Sequence, residues 1–94
     1  KGSRFLILGD MLEMGEYAYE EHDHILSFIV KSAIDKVMLV GEAFYQFKDR
    51  VPQYLFFSNT REAIEHLKKN PVRGYNILIK GSRGIQLEQI VKYL

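Results

Sequence analysis

Four short apolar runs, helical periodicity between them, and punctuation where each run ends predict an α/β fold for this 94-residue sequence. Strands that alternate with helices imply a doubly wound, mostly parallel sheet of Rossmann-like type, with three layers in the order helix, sheet, helix. The length fits a single domain with one sheet.

The apolar runs are residues 5–8, 37–40, 54–57 and 75–79. Each is four or five residues long and rich in β-branched or aromatic types. Runs without clean alternation suit strands buried on both faces. Gly9, Gly41 and the pair Lys80 and Gly81 close three of them, and Ser58 with Asn59 closes the other.

Helical patterns fill the intervals. Over about residues 17–34, Ala18, Ile25, Phe28, Ile29 and Ala33 recur near a 3.6-residue period and predict an amphipathic helix. Residues 42–50 predict a shorter one, with Ala43, Phe44 and Phe47 inward. Asn59 is placed to cap a third helix, with Glu62 at the capping-box position, Ala63, Ile64 and Leu67 as its core face, and Pro71 as its stop. Beyond Gly84, Leu87, Ile90, Val91 and Leu94 predict a last helix. Right-handed crossovers leave few topologies, and the order 3-2-1-4 is expected. The chain then reverses direction between strands 1 and 4. Ligands in such sheets bind outside the carboxyl ends of the strands at that switch point. Residues 9–16 and 80–84 should meet there.

Composition narrows the function. There is no cysteine, so disulfide scaffolds and thiolate metal sites are excluded. The net charge of +1 gives no bulk drive toward nucleic acid. It hides an asymmetry: residues 1–50 hold 9 acids and 6 bases, net −3, and residues 51–94 hold 3 acids and 7 bases, net +4. No apolar run approaches the roughly 18 residues of a membrane span. The chain opens on Lys1 rather than methionine, which suggests a piece of a longer protein.

The first loop carries Asp10 and Glu13 and leads into a helix with Glu20, Glu21, His22, Asp23 and His24. Six acids and no bases lie between residues 10 and 24. Acids near a helix start complement its dipole and face water, which accounts for Glu16, Glu20 and Glu21. Asp10 differs because it leaves a buried strand beside a glycine, where binding residues gather. For it two readings stand: a solvated acid, or one that with Glu13 helps to hold a metal–phosphate group or a cationic substrate end. His22 and His24 are two residues apart and point in different directions, unlike helical metal ligands spaced three or four apart. No metal site is expected.

The second loop, residues 80–84, reads Lys-Gly-Ser-Arg-Gly. Two cations, a hydroxyl and two glycines ahead of a helix make an anion site. Arg83 can grip a carboxylate in bidentate fashion, and Lys80 can act as a point charge. A polar turn whose glycines only satisfy geometry is the alternative. The spacing is neither a Walker A loop nor a dinucleotide fingerprint. No catalytic nucleophile set is present, since Ser82 has no evident base.

Taken in order, Leu8 to Glu16 (LGDMLEMGE), His22 on the following helix, Val40 with Gly41, and Lys80 to Gly84 (KGSRG) resemble the C-terminal domain of Mur ligases. Met14 stands where that pattern usually has leucine. The resemblance covers nearly the whole chain and is nearest to members that use D-alanyl-D-alanine. It implies that residues 1–94 are a single C-terminal domain, which binds substrate and closes over the site of a larger ATP-dependent amide ligase of bacterial peptidoglycan synthesis. Such ligases join their substrates through an acyl phosphate. ATP and Mg2+ would be held mainly by a central domain. The phosphate loop and modified lysine of that domain lie outside this sequence, so the fragment alone should be inactive and carry no catalytic residue. The resemblance further implies D-alanyl-D-alanine, UDP-N-acetylmuramoyl-tripeptide and ATP as partners, a cytoplasmic location and a monomer. It assigns Lys80, Ser82 and Arg83 to the dipeptide carboxylate. It assigns Asp10, Glu13 and His22 to the interdomain or nucleotide-proximal side, with a structural role favoured for His22. A non-catalytic flavodoxin-like domain that binds anions or signals is the competing reading. The stretch 37–41, however, lacks the aspartate a receiver domain needs.

Overall fold

Side-chain alternation along the first strand divides the core into two halves. β1 (Ser3–Gly9) sends Phe5 and Ile7 to one face of the sheet and Leu6 and Leu8 to the other. It is followed by a single 3-10 turn (Gly15–Tyr17), α1 (Ala18–Val30), β2 (Lys36–Val40), α2 (Glu42–Tyr45), β3 (Leu55–Phe57), α3 (Thr60–Lys69), β4 (Tyr75–Lys80) and a C-terminal 3-10 helix (Leu87–Tyr93). The computed structural model describes residues 3–11, 15–81 and 85–94. All strand pairs are parallel, in the order β3-β2-β1-β4, as the sequence predicts. In register, Leu6 lies beside Val37 on one side and Leu78 on the other.

On one face, Leu6, Val37 and Leu39 pack against Leu26 and Ile29 of α1 and against Phe44, Phe47 and Val51. On the other, Phe5, Ile7, Met38 and Val40 pack against Ala63 and Leu67 of α3 and Leu87 and Ile90 of the C-terminal helix. Helices therefore cover both faces, which makes the sheet doubly wound.

Four expectations are corrected. The inward stripe of α1 is His22, Leu26 and Ile29, whereas Phe28 is 70% exposed. A one-residue error in phase moves a side chain about 100° around a helix. The segment 42–50 is helical only over Glu42–Tyr45 and continues as turns, in which Phe47 N donates to Phe44 O and Arg50 N to Phe47 O. The last helix is 3-10 rather than α, which puts residues three apart, Leu87 and Ile90, on one inward face and leaves Val91 exposed. The run 75–79 is not buried on both faces. β4 is an edge strand whose Tyr75, Ile77 and Ile79 pack inward while Asn76, Leu78 and Lys80 stay exposed.

The Asn59 cap forms as expected, its Oδ1 accepting from Glu62 N at 2.9 Å. The Glu62 carboxylate does not close the capping box. It accepts from Ser58 Oγ at 3.1 Å instead.

Candidate functional site

The carboxyl ends of the strands form one rim, and glycines set its shape. Gly9 ends β1 and Gly81 follows β4, the edge strand paired with β1 across the switch point. A Cβ built on Gly81 would stand 3.2 Å from Gly9 Cα and 2.8 Å from Leu87 Cδ1. A Cβ on Gly9 would stand 3.0 Å from both Ile85 Cγ2 and Leu87 Cδ1. A side chain at Gly81 would crowd the backbone of Gly9, and one at Gly9 would press on the Ile85 and Leu87 side chains. That chain crosses over Gly9 and reaches α3, where Thr60 Oγ1 donates to Ile85 O. Gln86 then takes the left-handed conformation, φ 59° and ψ 41°, and its Oε1 accepts from Gln89 Nε2 at 2.9 Å.

Between this crossing, the end of β2 and the start of α3 lies a cavity of about 560 Å3. Its wall includes Gly41, Glu42, Asn59, Arg61, Gln86 and Gln89, with Asp10 at its edge. Arg61 offers a cation and Glu42 an acid on opposing elements. Asn59 and the glutamines supply amide groups. The arrangement suits a small zwitterion or a polar chain end.

The candidate residues fall into three groups. Lys80 is exposed at the end of β4, next to Gly81. Glu13, Ser82 and Arg83 lie outside the described residues. Asp10 and His22 are both buried, at 5% and 0% exposure. Asp10 extends the β1–β2 ladder, its N donating to Val40 O at 2.9 Å. Its carboxylate turns to the start of α2, where Oδ2 accepts from Ala43 N at 2.7 Å and Oδ1 from Phe44 N at 3.0 Å. His22 stands with Nε2 3.9 Å from Asp10 Oδ1, beyond hydrogen-bond length. His24, two residues on, is exposed, so the two histidines diverge.

In the sequence Gly41 marks the end of a strand and matches the family pattern, with no role of its own. The structure makes it a requirement: its φ is +126°, and a Cβ there would lie 2.2 Å from Asp10 Cγ. The aspartate and glycine that end neighbouring strands were the available signal. Nothing in the sequence marks Thr60 or the left-handed Gln86.

No protein-family model matches the chain. Among curated proteins, the UDP-N-acetylmuramoyl-tripeptide–D-alanyl-D-alanine ligase of Rickettsia prowazekii is 37% identical over 90 residues, covering 93% of this chain and 20% of that protein. The ligase of the same name from Bacillus subtilis is 36% identical over 102 residues, covering 99% and 22%. Among solved structures, MurF from Acinetobacter baumannii superposes with a TM-score of 0.81 at 21% identity, over 98% of this chain and 21% of that one. The MurF ligase of Thermotoga maritima in complex with ADP gives 0.72 at 21% identity, over 99% and 22%. The chain thus spans about one fifth of the length of the relatives it matches. These relatives do not favour a flavodoxin-like signalling domain. By sequence this chain is similar over nearly its whole length to one portion of proteins that carry the name UDP-N-acetylmuramoyl-tripeptide–D-alanyl-D-alanine ligase, and it shares its fold with the corresponding portion of the MurF structures.

Proposed function

We propose that this chain is the C-terminal, substrate-binding and closing domain of an ATP-dependent ligase that adds D-alanyl-D-alanine to UDP-N-acetylmuramoyl-tripeptide in a bacterial cytoplasm. The observation that carries the reading is the close approach of Gly81 to Gly9, which starts both candidate loops side by side, next to the Asp10 and Ile85 lining of the rim cavity. The relatives' shared name supplies the reaction. In it, the tripeptide carboxylate takes a phosphoryl group from ATP. The dipeptide amine then attacks the acyl carbon, phosphate leaves, and the amide loses a proton to solvent.

In this reading Lys80, Ser82 and Arg83 hold the dipeptide carboxylate, and the cavity beside Arg61 and Glu42 receives the rest. Glu13 and the loop after β1 face the remainder of the enzyme when it closes. Closure excludes water from the acyl phosphate. ATP and Mg2+ belong to the central domain. The Asp10 carboxylate, bonded to two backbone amides, does not suit a magnesium ligand set, and no step is assigned to it. The chain alone is inactive, and the ligase acts as a monomer.

The test is Arg83→Ala in the full-length ligase. Losing a bidentate carboxylate contact should raise the dipeptide KM by about 10- to 100-fold and leave the KM for ATP unchanged. An unchanged dipeptide KM would refute the assignment.

A further inference from the structure

We infer that Asp10, His22 and Gly41 form one buried lock that fixes the amide of Met11, and so the point where the chain leaves the sheet after β1. Met11 N donates to His22 Nε2 at 3.0 Å. A backbone N–H can only donate, so Nε2 is an acceptor and the ring proton sits on Nδ1. Nδ1 in turn donates to Ala18 O at 2.6 Å. Both ring nitrogens are therefore committed, one to the strand exit and one to the first turn of α1.

The ring is fully buried and stands edge-on to Phe44, with centroids 4.6 Å apart. Phe44 donates its own amide to Asp10. The Asp10 carboxylate fills the space that a Cβ at residue 41 would occupy. The circuit runs from the end of β1 through His22, Phe44 and Asp10 to Gly41 and the end of β2. It ties Met11 to the Asp10 and Gly41 lining of the rim cavity.

In the ligase these three are positioning residues. They act by holding the loop and the cavity edge in register, which is why they are buried rather than displayed. That functional role rests on the reaction proposed above, whereas the lock itself does not.

Two experiments separate them. In this chain, nitrogen NMR should show His22 as the Nδ1–H tautomer, with a Met11 amide protected from exchange. A proton on Nε2 would overturn the lock, because Met11 N could not then donate to it. His22→Phe keeps the ring packing and removes the acceptor, while His22→Gln restores an acceptor near Nε2. Exchange at Met11 should quicken by about tenfold or more in the Phe variant and return toward the parent rate in Gln. Unchanged exchange in the Phe variant would overturn the lock. Should that variant not fold, Asp10→Asn gives the same reading, since it keeps the shape and loses an acceptor. Met11 exchange should then rise with that of Ala43 and Phe44, and a rise confined to Ala43 and Phe44 would overturn the circuit.

In the full-length ligase, His22→Phe should lower kcat by about 10- to 100-fold, with the dipeptide KM within about twofold of the parent, and Gln should recover most of the loss. A parental kcat in His22→Phe would overturn the positioning role. An unsubstituted enzyme that does not join the dipeptide at all would refute the proposed reaction, with the NMR result still deciding the lock.

Discussion

Gly41→Ala isolates the fit between the ends of β1 and β2. The new Cβ would stand 2.2 Å from Asp10 Cγ and 2.4 and 2.5 Å from its oxygens, so the carboxylate has to leave. Its departure breaks the bonds from Ala43 N and Phe44 N. Hydrogen bonds to a charged group contribute about 1.5–3 kcal/mol each, and re-solvation of the displaced carboxylate returns part of that. A φ of +126° adds about 1–3 kcal/mol for alanine. Reduced freedom of the unfolded chain offsets about 0.4–1 kcal/mol. The net loss is about 3–5 kcal/mol, a large share of the roughly 5–14 kcal/mol expected of a domain this size. Urea unfolding followed by circular dichroism should show the midpoint falling by about 1.5–2.5 M, for a slope near 2 kcal/mol/M. The double variant Asp10→Ala with Gly41→Ala provides the control. With the carboxylate gone the Cβ has room, so the two losses should sum to about 2 kcal/mol more than the double variant shows. A single-variant loss below about 1 kcal/mol, or additivity within about 0.5 kcal/mol, would refute the reasoning.

Two further outcomes follow from single side chains. Burial, and then the nearby Lys36 charge, hold the His66 imidazole below its ordinary pKa of 6.5. The unfolded chain therefore takes up this proton first, and the contribution of His66 to stability is full above about pH 6.5 and is lost as pH falls through the folded value. His66→Gln should flatten the fall in urea midpoint between pH 7 and pH 5, and an identical slope in both proteins would count against it. Ala33, just past the end of α1, has φ 55°, the left-handed conformation that costs a non-glycine residue about 1–2 kcal/mol. Ala33→Gly should stabilise the chain by about 0.5–1 kcal/mol once the added freedom of the unfolded state is counted, and thermal unfolding at two or more concentrations would reveal a lower Tm if this is wrong.

Much of the fold was legible because its signals are local. The apolar runs mark all four strands, and the cap at Asn59 together with Pro71 brackets α3. The sheet order followed from the handedness of crossovers, which is a property of twisted strands rather than of any residue. The phase of α1 is ambiguous in the sequence because Leu26 and Phe28 are both large and apolar, and only the packed sheet decides which one turns inward. The type of the C-terminal helix is equally ambiguous, since the apolar spacing at Leu87 and Ile90 fits a three-residue turn as well as a 3.6-residue one.

The sequence by itself determined the α/β class, the two loops at the switch point, and the candidate residues Asp10, Glu13, His22, Lys80, Ser82 and Arg83. All of these depend on residue type and spacing along the chain. What Asp10 and His22 do depends on the folded structure, because their partners lie on other elements: Ala43 and Phe44 of α2 for the carboxylate, Met11 after β1 for the imidazole. The tertiary structure also decided that Gly41 has to be glycine and that Thr60 holds the chain after β4. Steric exclusion and hydrogen bonding act over a few ångströms in space, and residues 11 to 34 positions apart come that close only once the chain has folded.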